Sequence, residues 1–401
     1  MIQVHGRPAT CVHRFDTHHG LLEMGYLSMK GRAFRTSLKL KWFSGFGTPN
    51  SRRPMMRFYL EQHPFYCGVD LHAKTLHACV IDQDGKKLLH QNFPCRDADR
   101  FIEQLKPYQP GIVVGCESTF NWYWLSDLLI EHQFQFLLGH ALYMKAIHGG
   151  KTKSDPIDSE KIARLLRGGN FPIAYAYPKQ HRATRDLMRR RTFLVRRRAE
   201  SLGHIQIVHL QHNQAKPTNI KYKSNRVGVG DKLPHPHSQL MIDVDMRLIE
   251  AYDLQIARLE SELTRSAKVD DPQSFYRLQT VPGIGPVLAL TMMHEIGTID
   301  RFPGVGKFLS YSRLVRGSHT SAGKNYGSPG AKIGNSHLRW AFGEAISILK
   351  RESNEASVYC KRIEKKHGPA RANNQLAVKL GRAIYYMLKR NEAFDIKRLF
   401  T

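Results

Sequence analysis

This 401-residue chain lacks any run approaching the roughly 18 consecutive apolar residues that a membrane-spanning helix needs. Cysteine is scarce and scattered, at positions 11, 67, 79, 95, 116 and 360. The absence of a C-x-x-C pair argues against a zinc site, and isolated cysteines point to a reducing compartment. The opening "MIQVHGRPATC" holds no sustained apolar segment, so no secretory signal is expected and the expected location is the cytoplasm. Acidic residues are the largest deficit: 34 Asp and Glu stand against 61 Lys and Arg, a formal net charge of +27. Such an excess calls for a polyanionic partner. Nucleic acid fits better than a membrane surface, which would call for a basic amphipathic helix with large apolar side chains and no catalytic site. Hydrophobic residues make up 41% of the chain, enough for real cores, and the length sets a prior of two or three domains.

Four segments differ in character. Residues 1–57 carry ten Lys or Arg against two acids and show no periodicity. They read as a dispensable basic extension or disordered arm, or as the product of a start codon set too far upstream of Met55 and Met56. Residues 58–176 read as an α/β domain with a mixed sheet. "FYCGVDLH" is a strand, and "LHACVIDQDGKKLLHQNF" is a pair of strands around an Asp84-Gly85 turn. "GIVVGCEST" and "FQFLLG" are further strands, alternating with the helices "DADRFIEQLKPY" and "NWYWLSDLLIEHQ". Residues 177–268 read as a helical, coiled-coil segment. Its first helix holds eight arginines between Arg182 and Arg198, and a Pro/Gly/Lys/Asn-rich loop spans 214–236. Its second helix spaces Ile242, Met246, Ile249, Tyr252, Ile256, Leu259 and Leu263 mostly by threes and fours. That seam serves either packing within the chain or self-association into a dimer or tetramer. Residues 269–401 read as mostly helical.

The few acids are placed with purpose. Asp70 interrupts an apolar strand, a costly position unless the carboxylate is paired or metal-bound. Glu117 ends another apolar run, where open α/β sheets place their ligands. Asp155 and Asp158 open an apolar-striped helix in "KTKSDPIDSEKIARLL", three residues apart and so on one face. Asp155-Pro156 alone reads as a helix start, with Asp158 favouring the dipole. Four carboxylates on neighbouring elements instead suit one or two Mg²⁺ ions acting on a phosphate. Lys151, Lys153, Lys161 and Arg164 would then form a phosphate-holding rim.

"GVDLHAKTLHACVID", "GCEST" and "KSDPIDSEKIARLL" resemble the N-terminal domain of the DEDD-type insertion-sequence transposases, the bridge-RNA-guided recombinase family. The resemblance implies a ribonuclease H-like fold similar to the RuvC resolvase, with Asp70, Glu117, Asp155 and Asp158 as Mg²⁺ ligands and catalytic acids. It continues through "RGSHTSAGKNYGSPGAKIGNSHLRWAF", which is similar to the family's C-terminal transposase domain and covers, with the first part, roughly residues 65–350. It implies that Ser321 attacks DNA to form a phosphoserine link, with Lys332 on the family lysine. This chain has Ser321-Ala322-Gly323 where Ser-Gly is usual, which leaves Ser318 as a rival. The resemblance further implies element-end and target DNA as substrates and a non-coding guide RNA as partner.

The remaining candidates read as backbone-holding groups. Arg189, Arg190 and Arg197 on the arginine-rich helix suit nucleic-acid backbones. "VPGIGPVLA" resembles a helix-hairpin-helix turn in which Gly283 and Gly285 would let a phosphate approach, or else a tight turn between packed helices. Lys332 and Arg339 suit a phosphate, and His319 and His337 are weaker candidates as proton carriers. Two other functions stay open: a RuvC-like structure-specific endonuclease using the acids and water alone, and a non-catalytic nucleic-acid-binding protein.

Overall fold

The computed structural model describes residues 58–147, 154–315, 317, 320–322, 324–325 and 333–400. The 1–57 extension, Lys151, Lys153, Ser318, His319 and Lys332 lie outside the described residues.

Strands buried on both faces build the first layer. Strands β1 (Phe58–Tyr59), β2 (Phe65–Leu71), β3 (Thr75–Asp82) and β4 (Lys87–Pro94) precede helix α1 (Ala98–Leu105). Strand β5 (Ile112–Glu117), helix α2 (Trp122–Glu131), strand β6 (Gln135–Gly139), helices α3 (Ala141–Ile147) and α4 (Asp155–Arg167) and strand β7 (Phe171–Pro172) follow. The main sheet runs β4-β3-β2-β5-β6. β2, β3 and β4 pair antiparallel, while β5 lies parallel to β2 and β6 parallel to β5. This is the expected mixed sheet, and its helices on both faces are consistent with a ribonuclease H-like fold. The expected Asp84-Gly85 turn joins β3 to β4, with Gly85 at φ 85 and the Asp82 carboxylate accepting from the Asp84 and Lys86 amides.

Successive residues of a strand face opposite sides. Cys67, Val69, Leu71, Val114 and Cys116 join Phe101, Ile102, Leu105, Leu125 and Leu129 of α1 and α2 in one core. Tyr66 and Val113 join Ile162, Ala163 and Leu166 of α4 on the other face. Gly68, between them, is where α4 comes closest. A β-carbon there would lie 2.1 Å from the Ser159 carbonyl oxygen and 2.4 Å from the Ala163 nitrogen. Two polar contacts orient the helix: His77 Nδ1 to Ser159 Oγ at 2.9 Å and His90 Nε2 to the Pro156 carbonyl at 3.0 Å.

Among the described residues, the remaining elements are helices apart from one short ladder. α5 (Lys179–Gln211) and α6 (Pro236–Asp270) form a long hairpin. Next come α7 (Pro272–Gln279), α8 (Pro286–Ile296), α9 (Val305–Tyr311) and strands β8 (Thr320–Ser321) and β9 (Lys324–Asn325). Helices α10 (Ser336–Glu352), α11 (Asn354–His367), α12 (Pro369–Arg390) and α13 (Ile396–Phe400) complete the chain. The apolar seam packs within the chain: Ile242 and Ile249 of α6 bury with Ile205 and Val208 of α5 and with Ile220 and Leu233 of the connecting loop.

Two expectations need correction. The arginine-rich helix is not a free cationic face. Arg182 bonds Asp127, Arg191 bonds Glu260, Arg197 bonds Glu200, Arg198 bonds Asp253, and Arg185 and Arg189 both reach Glu295. Arg189 is therefore committed to an internal carboxylate, while Arg190 lies over the Phe193 ring. Gly283 does not face a phosphate either. At φ 92, its missing β-carbon would sit 2.7 Å from the Ala345 carbonyl and 3.0 Å from the Leu349 nitrogen, so it lets α10 pack on the turn. Gly285 has open space around it and caps α8.

Glu295, 1% exposed, ties three elements together. Its carboxylate accepts from Arg189 at 2.7 and 3.0 Å, from Arg185 at 3.2 Å and from Asn335 Nδ2 at 2.7 Å. The Asn335 Oδ1 atom caps α10 by accepting from the His337 and Leu338 amides. Burial alone would raise the Glu295 carboxyl, but hydrogen bonds from Arg189, the charges of both arginines and the Asn335 amide hold it down to about 2.

Gly68→Ala should push α4 off the sheet and cost about 1–3 kcal/mol, read as a lowered thermal midpoint; an unchanged midpoint would mean the contact is slack. Glu295→Ala should cost about 1–3 kcal/mol in urea unfolding at pH 7, because it leaves the buried Asn335 amide and two part-buried guanidinium groups without their acceptor. Since the folded carboxyl is depressed, its stabilisation is complete above about 4.5 and declines as pH falls toward about 2. Glu295→Gln should flatten that part of the acid limb of stability against pH.

Candidate active site

Strand alternation decides where the acids point. Asp70 is two residues beyond Gly68, so it faces α4 at the carboxyl end of β2. Gly115, whose missing side chain faces Leu166 and Phe171, places Glu117 on that same face at the end of β5. Val69 pairs with Cys116, so Glu117 stands one residue further along, beside Asp70. The α4 N-terminus supplies Asp155 and Asp158 above this edge.

The cap at that terminus is Ser154, and Asp155 is the first helical residue. Its carboxylate turns instead to His72, whose Nε2 lies 3.3 Å from Asp155 Oδ1 and 3.3 Å from Asp70 Oδ2. Asp70, His72 and Asp155 thus offer ligand atoms all within 4.8 Å of one another, a group able to hold a metal ion. Burial raises the Asp70 carboxyl above its ordinary range. His72 pulls it back by charge and hydrogen bond, and Asp155 and Asp158 push it up again. Crowded like charge at a partly buried carboxylate is the electrostatic condition a cation would satisfy. Asp158 is half-open to solvent and pairs with Lys161 at 3.1 Å. Arg164, expected on the phosphate rim, is instead bonded to Glu160.

The four sequence-predicted acids therefore lie at one edge of the sheet, and of them Asp70 and Asp155 join, with His72, in a group close enough to share an ion. His72 was missed, although its place two residues after Asp70 in an extended segment was a readable signal. Ser321 lies in β8, paired in register with Lys324 of β9, and Ala322 in the turn has φ 48. Arg339 is exposed at the start of α10 and donates to the Arg313 carbonyl. His337, half-buried beside it, is held below its ordinary range chiefly by burial. Among the described residues no helix is long and apolar enough to cross a membrane.

Comparison with known proteins agrees with this arrangement. A model of the DEDD transposases of the IS110 type matches residues 67–211, and one described as the transposase IS116/IS110/IS902 family matches residues 276–361. The transposase for insertion sequence element IS1111A of Coxiella burnetii is 22% identical over 82% of this chain and 90% of its own length. The transposase for insertion sequence element IS1328 of Yersinia enterocolitica is 22% identical over 68% of this chain and 80% of its own. A probable family 20 transposase of Pseudomonas aeruginosa is 26% identical over 68% and 80%. Both halves of the chain point the same way, and it belongs to the IS110 family of DEDD insertion-sequence transposases, enzymes that act on DNA.

Proposed function

We propose that the chain is a Mg²⁺-dependent recombinase that cuts and rejoins DNA strands at the ends of its own mobile element and at a target. The observation that carries this reading is the placement of Asp70, Glu117, Asp155 and Asp158 at one sheet edge, with Asp70 and Asp155 close enough, beside His72, to share one cation. The domain is RuvC-like. Oxygen-rich ligands suit Mg²⁺, and Asp70 and Asp155, with Glu117 and Asp158 beside them, are the residues that would hold it. Bound there, the ion supplies charge stabilisation at a scissile phosphate.

Ser321 is the nucleophile in this reading. Its hydroxyl gives up a proton as the oxygen bonds phosphorus, the phosphorus bond to the departing strand oxygen breaks, and that oxygen takes up a proton. Lys332, the exposed Arg339 and Gly285 hold the phosphate backbone, together with Lys151 and Lys153, and Arg190 extends this contact along α5. A non-coding guide RNA selects the site, so the protein need not read bases. Self-association is supported by the row Leu240, Val244 and Leu248, which α6 leaves exposed.

Asp70→Asn should reduce Mg²⁺-dependent cleavage of element-end DNA at least 100-fold, and EDTA should do the same to the unaltered protein. Ser321→Ala should abolish the covalent protein–DNA adduct seen on denaturing gels. Cleavage surviving in Ser321→Ala without an adduct would instead favour an endonuclease that uses water. Activity surviving in Asp70→Asn would remove the acids from the chemistry.

A further inference from the structure

Between the sheet edge and the start of α10 lies an open cleft of about 740 Å³. One wall follows directly from Glu117 and includes Phe120; the opposite wall includes Lys307, Ser336 and His337. Four basic side chains, Arg185, Arg189, Arg301 and Lys307, line it, and no carboxylate does among the described residues. Part of that charge is balanced from behind by Glu295, which leaves a positive excess. Arg301 is held over the Tyr175 and Tyr311 rings at 4.2 and 4.4 Å, and its buried Nε has no hydrogen-bond partner.

Phe120 is the feature the fold does not explain. It is 83% exposed, three residues after a catalytic acid, and stabilises no core. Tyr143 and Tyr175 present further ring surface in the same cleft. Cations combined with aromatic faces are what single-stranded nucleic acid needs, since every base has a face to stack and every linkage a charge to meet. A paired duplex hides its base faces within the stack. The volume suits a ligand the size of one or two nucleotides.

We propose that this cleft captures an unpaired nucleotide of a single strand brought to the site, its base stacked on Phe120 and its phosphate drawn to the basic side. The proposal rests on the recombinase reading, whose two sources of such a strand are the DNA being cut and the guide RNA. The test is fluorescence anisotropy on the full chain in EDTA at fixed salt. The probes are labelled single-stranded DNA, single-stranded RNA of the same sequence and fully paired DNA. Phe120→Ala should weaken binding of at least one single strand about 10-fold, Phe120→Trp should restore it, and duplex binding should change less than about 2-fold. The affected single strand identifies the source. Equal weakening of all three probes, or no change in either single strand, would overturn the cleft assignment while leaving the recombinase reading intact. Failure of the unaltered protein to bind any probe would instead sink the recombinase reading.

Discussion

Helix α4 rests backbone against backbone on strand β2, and that approach exists only because residue 68 has no side chain. Everything chemical in the first half depends on it. The contact sets the height of the α4 N-terminus above the sheet, and so brings Asp155 within reach of the histidine that also touches Asp70. His77 and His90 fix the rotation of the helix through Ser159 and the Pro156 carbonyl, so its acidic turn faces the strand ends. A helix held a few ångströms higher would still pack its apolar stripe, but Asp155 would no longer reach the histidine that touches Asp70.

The second half is joined to the first by charge as well as by packing. Arg182 reaches back to Asp127 of α2, and one turn further along the same helix Arg185 and Arg189 enclose Glu295. Glu295 in turn holds the asparagine that begins α10, immediately after the glycine-rich loop. Tyr177 adds to the joint by donating to the Glu295 carbonyl. The start of α10 is therefore fixed by an ion cluster around a buried carboxylate.

Much of this was legible in the sequence, for a physical reason. An acid within an apolar strand, an acid at a strand end and an i, i+3 pair at a helix start are local signals, and alternation then dictates which face each occupies. The mixed sheet was readable from hairpin turns and buried-type strands. Long-range pairing was not. Arg189 lies 106 residues from Glu295, and no spacing rule announces that partnership, so a helix dense in arginine read as a surface for phosphates when most of its charge is spent internally. Gly283 misled in the same way, since a glycine that admits a phosphate and one that admits a neighbouring helix look alike in sequence.

The α5/α6 hairpin has a mechanical consequence. A helix of 33 residues is about 50 Å long, and this one is clamped at its base by Arg182 and Arg185. Its far end is closed by a loop with its own buried residues, Ile220 and Leu233, and by Arg226 bonded to Asp253. A braced rod of that kind is a ruler: whatever grips the tip is held a fixed span from the base, and shortening both helices by the same number of turns would shorten that span without altering the catalytic chemistry.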